Sequence, residues 1–125
     1  MTATYGLANA TTVSVRNYGY NVKTDKPDIA LGQAVIPNPA KPNQLLVSFP
    51  NNPIPGKYDV WSTDYKYTLI YSCQQIIPVL LKFELVWILA RERTLDAQTI
   101  TQLKDLLKSK NVDINRFEIT DQTGC

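Results

Sequence analysis

Histidine is absent from the sequence. That removes the side chain most often used as a general base near neutral pH and as a metal ligand. Cysteine is scarce: only Cys73 and Cys125 are present. Two thiols so far apart in sequence do not compose a zinc site, and a cysteine nucleophile would have no imidazole to help it ionise. Paired carboxylates show no distinctive spacing, so the chain is not expected to be an enzyme. Charge is also thin, at 19% of 125 residues with a net +2. The densest basic spot, Arg91 and Arg93, has Glu92 between them. Nucleic acid is therefore not an expected partner. Long apolar runs are missing too. The most apolar stretch, IIPVLLKFELVWILA at 76–90, is too short for a transmembrane segment and carries Lys82 and Glu84, so it is read as core strand. MTATYGLANATT at the start has no basic region followed by an apolar core, and no signal peptide is expected in this chain.

What is present is a succession of β-formers. With 44% hydrophobic residues and no internal repeat, 1–125 is expected to be one domain with its own core. TATYGL (2–7) is rich in strand formers. TTVSVRNYGYNV (11–22) alternates, placing Val13, Val15 and Asn17 on one face and Ser14 and Arg16 on the other. DIALGQAVI (28–36) is a third strand, with Gly32 marking a bend or bulge. PNPAKPN (37–43) and PNNPIPG (50–56) are read as loops, because proline has no N–H for a ladder. Between them lies the strand QLLVSF (44–49). YDVWSTDY (58–65) and YTLIYSC (67–73) are strands joined around Lys66, and KFELVWILA (82–90) follows. The period then changes: Leu95, Ile100, Leu103, Leu106 and Leu107 fall near one helical face, with Thr94 or Asp96 as N-cap. Lys108 and Lys110 suit the C-terminal end of that helix, and RFEIT (116–120) reads as a last strand. Many antiparallel strands with short links indicate a sandwich or an up-and-down barrel.

Three stretches in this order, YDVWSTDYKYTLIYSC, VWILARERTLD and LLKSKNVDINRFEITDQTGC, resemble the apolipoprotein D-like branch of the lipocalins. Thr63, Asp64 and Tyr65 match that family's second signature, and Arg91 its third. TATYGLANATTVSVRN is similar to its second and third strands, so the resemblance runs through nearly the whole chain. The first signature, glycine-x-tryptophan, is not here: Trp61 and Trp87 lie far downstream. The resemblance therefore implies an antiparallel lipocalin barrel lacking its first strand, with one helix packed outside. It also implies that Arg91 caps the barrel floor and that the second signature is a structural turn. In the family both cysteines pair with partners ahead of the second strand. Cys73 and Cys125 are thus expected as free thiols, the alternative being a direct bond between them.

Function, on this resemblance, is physical rather than catalytic. A barrel of this size holds a small apolar molecule of the fatty acid, sterol, retinoid or bilin class, in an extracellular setting. No other cofactor is implied. Position by position the family match points to Tyr5, Asn17, Trp61 and Trp87 as lining residues. Val15 shares a face with Asn17, Leu85 and Leu89 share one with Trp87, and Phe49 stands at a strand end near the mouth. The plainer alternative is that these side chains fill a solid core. Asp59 falls where a relative carries a pocket tryptophan, and a carboxylate facing the cavity would be costly unless paired. Asn9-Ala10-Thr11 is a glycosylation sequon on a turn. The helix charges Lys104, Asp105, Lys108 and Lys110 are read as solvated surface. The rival function is self-association or protein interaction at the open barrel edge, since a missing strand leaves its neighbours unpaired.

Overall fold

The computed structural model describes residues 1–123, the side chain of Pro53 excepted. Seven strands follow one another as β1 (Thr2–Asn9), β2 (Thr12–Asn21), β3 (Lys26–Val35), β4 (Gln44–Phe49), β5 (Asn52–Thr63), β6 (Tyr67–Ile77) and β7 (Leu81–Ala90). Each pairs antiparallel with its sequence neighbour, in the spatial order β1 to β7. This meander is what short turn-forming links between alternating segments produce. Among the described residues β7 does not return to β1, so the sheet curls but is not closed.

Pairing register sorts the side chains onto two faces. Tyr5 lies opposite Val15, and Val15 opposite Gly32. Val47 joins the same face through Ala34, and Tyr58 through Leu45. Ile70 lies opposite Val60 and Trp87. On this face the Tyr5 and Tyr58 hydroxyls meet at 2.8 Å. Their strands, β1 and β5, would stand roughly 19 Å apart in a flat sheet. The contact shows that the sheet bends strongly and that this face is the concave one.

The convex face carries the helix α1 (Ala97–Ser109). Asp96 caps its start, accepting from the Thr99 N–H at 2.8 Å and the Thr99 hydroxyl at 2.7 Å. At the other end Asn111 takes φ 59 and donates to the Lys108 carbonyl, while Val112 donates to Leu107. This left-handed stop satisfies carbonyls that the helix leaves open. Leu103 and Leu107 are buried with Leu69 of β6, surrounded by Trp61, Tyr67, Val86, Ile88, Leu106 and Phe117. Each fully buried leucine contributes about 1.5–3 kcal/mol. Ile100 is half-buried, whereas Leu95 precedes the helix.

Three expectations need correction. The segment 50–56 is largely strand: β5 begins at Asn52. Pro53 and Pro55 are tolerated because the register leaves 53–55 without ladder partners on either side, so no N–H is required there. The run 76–90 is not one core strand. Pro78 and Val79 form a turn closed by Leu80 N–H to Ile77 carbonyl at 3.2 Å, and β7 starts only after it. Val79 adopts φ 69 and is 96% exposed, with Leu80 at 82%. A β-branched residue in the left-handed region is strained. RFEIT forms no strand either: a 3₁₀ turn (Ile114–Arg116), capped by Asp113, leads into irregular chain. Phe117 reaches the core beneath α1 instead of joining the sheet.

Candidate functional site

The hairpin bearing Thr63, Asp64 and Tyr65 is held by its own side chains. The Asp64 carboxylate accepts from the Lys66 and Tyr67 backbone N–H groups at 2.8 and 2.9 Å. The Tyr67 bond is the main cause holding its carboxyl below the usual range, with the Lys66 bond adding to it. Thr63 donates its hydroxyl to the Tyr67 carbonyl at 2.7 Å and accepts from Tyr65 N–H at 3.1 Å, which supports Tyr65 at φ 68. Arg91, at the end of β7, donates Nε to the Tyr65 carbonyl at 2.6 Å and its backbone N–H to Lys66. The two signature segments therefore lock one end of the sheet to each other.

Between that end and the opposite turns lies the concave face. Val15, Ala34 and Ile70 are buried in its floor, with Ser72 the one buried polar residue among those described. Above them stands an aromatic line: Tyr5 bonds Tyr58, and Tyr58 stacks on Trp87 with centroids 6.0 Å apart and planes at 26°. Burial first, then the Tyr5 hydroxyl, raises the Tyr58 phenol well above its ordinary value, so Tyr58 stays neutral. A hydroxyl pair of this kind shares one proton between its oxygens and has one left for an acceptor. Leu85 lies opposite Ser72 and Leu89 opposite Thr68 on the same face. Asn17 lies opposite Ala3 and Ala30. Phe49 packs over Gly32, where a Cβ would meet its ring at 2.7 Å and the Ser48 carbonyl oxygen at 2.5 Å. There β3 and β4 part around a cleft of about 430 Å³, lined by Leu31, Gly32, Gln33, Ser48, Phe49 and Pro50. Apolar side chains stay open along this face: Tyr5 is 45% exposed, and Trp87 and Leu85 are each 37%.

Seven of the eight expected lining residues thus share one face: Tyr5, Val15, Asn17, Phe49, Leu85, Trp87 and Leu89. Trp61 does not join them. The β5–β6 register shifts between Val60 and Ser62, and Trp61 packs beneath α1, stacked on Tyr71 at 4.1 Å with Lys110 over its ring at 5.1 Å. Trp61 is in phase with Asp59 along β5, so simple alternation carries it to the side opposite Tyr58 and Val60. Lys110 is consequently more than solvated charge, whereas Lys108 and Asp105 pair on the exposed helix surface at 3.6 Å. Asp59 is also on the convex side, opposite Tyr71. There it borders a small polar depression of about 190 Å³ with Lys57, Cys73, Gln75 and Lys82. Close by, Tyr71 donates to Glu84 at 2.5 Å and Lys82 pairs with Glu84 at 3.0 Å. Those two contacts hold the Glu84 carboxyl below its ordinary value, the tyrosine bond most strongly. Cys73 is a free thiol; Cys125 lies outside the described residues. Asn9 is exposed at the β1–β2 turn.

Sequence reasoning missed Tyr58, Ile70 and Ser72. On β5 both alternate sets carry an aromatic, Tyr58 and Val60 against Asp59 and Trp61, so period two could not choose between them. The helix, by contrast, announces which face of β6 it covers only once the chain is folded. Among the described residues no helix is long and apolar enough to cross a membrane.

Comparison with known proteins bears on the whole of this arrangement. The family model for the lipocalin-like domain matches residues 1–122. Apolipoprotein D of Oryctolagus cuniculus is 43% identical across 75% of the chain, and Lazarillo protein of Schistocerca americana is 35% identical across 65%. The chain spans about half the length of the apolipoprotein D relatives, 50% for the rabbit protein. Lobster apocrustacyanin A1 superposes with a TM-score of 0.83 over 98% of this chain and 66% of its own, at 22% identity, which bears on the fold alone. The chain belongs to the lipocalin-like family and is apolipoprotein D-like.

Proposed function

We propose that the concave face binds one small hydrophobic molecule and that the protein carries it in extracellular surroundings. The observation that carries this reading is the unfilled line of Tyr5, Tyr58 and Trp87 over a buried floor of Val15, Ala34 and Ile70. Apolar contact would supply affinity, and the hydrogen-bonded Tyr5–Tyr58 hydroxyls would orient a ligand acceptor group. Register puts Lys26 and Asp28 on this side only at the far end of β3, so the middle offers no counter-ion to a charged ligand. The family match supports the ligand classes named above, fatty acid, sterol, retinoid or bilin, and supports binding without catalysis. The test is a titration against a lipid and bilin panel, read by tryptophan fluorescence. Saturation at one ligand per chain is expected, and its stacking on Tyr58 along the concave face supports Trp87 as the reporter. A flat response across the panel overturns the reading.

A second reading has its own observation. Among the described residues β1 and β7 each pair on one side only, and the neighbouring tip exposes Val79 and Leu80. Two such edges are templates for another strand. Association through them predicts a concentration-dependent mass by light scattering; a constant monomer mass at micromolar concentration rules it out.

A further inference from the structure

Asparagine recurs at the turns of this sheet with one hydrogen bond in common, its side-chain oxygen accepting from the backbone N–H two residues on. Asn21 accepts from Lys23 N–H at 3.0 Å, Asn38 from Ala40 at 3.0 Å, and Asn52 from Ile54 at 3.2 Å. Asn9 does the same with Thr11 N–H at 3.0 Å. It differs from the others in what stands two residues on. Only Asn9 is followed at that spacing by a hydroxyl residue, and Thr11 also donates its hydroxyl to Asn9 Oδ1 at 3.3 Å. Both acceptor contacts fall on the amide oxygen. Among the described residues Asn9 Nδ2 donates to nothing, and the residue is exposed. The side-chain amide is therefore pinned by its oxygen with its nitrogen turned to solvent. A substituent on that nitrogen would break no contact of the fold.

From this geometry we infer that Asn9 is an N-glycosylation site and that its glycan is accommodated by the folded protein without rearrangement. Ala10 in the middle position puts no proline in the way. In the transfer Nδ2 bonds to the anomeric carbon of a lipid-pyrophosphate-linked oligosaccharide. The bond from that carbon to the pyrophosphate breaks, the lipid pyrophosphate leaves with its electron pair, and the amide proton goes to a base of the transferase. The product keeps the Oδ1 contacts to Thr11, because oxygen takes no part.

The turn's position defines where the glycan stands. In an antiparallel meander alternate turns share an end. The β1–β2 turn lies with the 36–43 and 64–66 connections, and the exposed Val79–Leu80 tip lies at the other end. The glycan thus stands at the end of the sheet that carries the Asp64 hairpin, opposite the Val79–Leu80 tip. The inference depends on the extracellular reading only for passage through the secretory pathway.

The test supplies that passage. The chain is expressed behind a cleavable secretory leader in insect cells, and the medium is analysed by intact mass and by amidase release of the glycan in heavy-oxygen water. Release should convert Asn9 to a labelled aspartate. Asn9→Gln and Thr11→Ala should abolish the glycoform, while Thr11→Ser should restore it by keeping the hydroxyl. Secreted wild-type protein with Asn9 unmodified overturns the inference, as does a glycoform that persists in Asn9→Gln. Ligand quenching of Asn9→Gln should equal wild type, and a changed affinity overturns the placement. A flat ligand response with an occupied Asn9 would instead sink the carrier reading and leave the modification standing.

Discussion

The two faces of this sheet use similar residues to opposite ends. On the convex side Leu69 meets Leu103 and Leu107 with essentially no exposed surface, and Trp61 and Ile88 close around them. On the concave side Leu85 and Trp87 keep more than a third of their surface open, and Tyr5 nearly half. The difference is a helix. Where α1 lies, apolar surface leaves water during folding and stabilises the fold; where nothing lies, it remains available to a ligand. The comparison teaches that burial of the first kind sets stability, and that exposure of the second kind is where affinity would come from.

The sharpest break in this contrast comes from the convex side. Leu107→Ala should lose about 2–5 kcal/mol of stability through the cavity it leaves, with ligand affinity per folded molecule unchanged. Urea unfolding beside a ligand titration checks both. Next, Gly32→Ala sets a Cβ against the Ser48 carbonyl and the Phe49 ring. It should destabilise by about 1–3 kcal/mol and weaken ligand binding as well, because Phe49 belongs to the concave side. Equal affinity in this variant would remove Phe49 from the site.

Trp87→Ala should show the reverse profile to Leu107→Ala. We expect ligand affinity to fall roughly tenfold, about 1.4 kcal/mol, with the unfolding midpoint moving far less. Isothermal titration suits it, since the quenching probe is gone. A large stability loss with unchanged affinity would make the concave face ordinary core.

The smallest effect concerns pH. Tyr58 in the folded chain ionises above its ordinary value, while an unfolded tyrosine ionises near ~10. Below that pH the contribution of the neutral phenol is complete. As pH rises past it the unfolded chain gives up a proton that the folded chain keeps, so stability declines. Tyr58→Phe should make the alkaline decline shallower without abolishing it, because burial and the Glu84 bond also raise Tyr71. Thermal melts across the alkaline range measure it, and an unchanged slope would contradict the burial of Tyr58 together with its bond to Tyr5.

Much of this was legible beforehand. Val13, Val15 and Asn17 on β2, and Leu85, Trp87 and Leu89 on β7, alternate cleanly, and register confirms each set on one face. The helix was readable from its leucines, and its start to within Thr94 or Asp96, of which Asp96 is the cap. Trp61 was not readable. It is in phase with Asp59 and out of phase with Tyr58, and which of those two sets meets the helix is decided by pairing with other strands. The RFEIT segment alternates like a strand yet has Phe117 drawn under α1, a tertiary contact that outweighs local propensity. Pro53 and Pro55 misled in the other direction, because proline excludes a ladder bond and not an extended backbone.

By itself the sequence determined the class of fold, the order of strands and helix, and the turn chemistry of Thr63, Asp64 and Asn9. Those are local matters, decided by period, hydrogen-bonding side chains and the missing N–H of proline. Only the tertiary structure decided which side of each strand meets the helix and which faces the hollow. It brought Tyr58 to Tyr5 across three intervening strands and turned Trp61 away. The reason is physical: two alternating sets on a strand are told apart only by what pairs with and packs on each, and a curl accumulates over several strands. Neither is a property of any short segment alone.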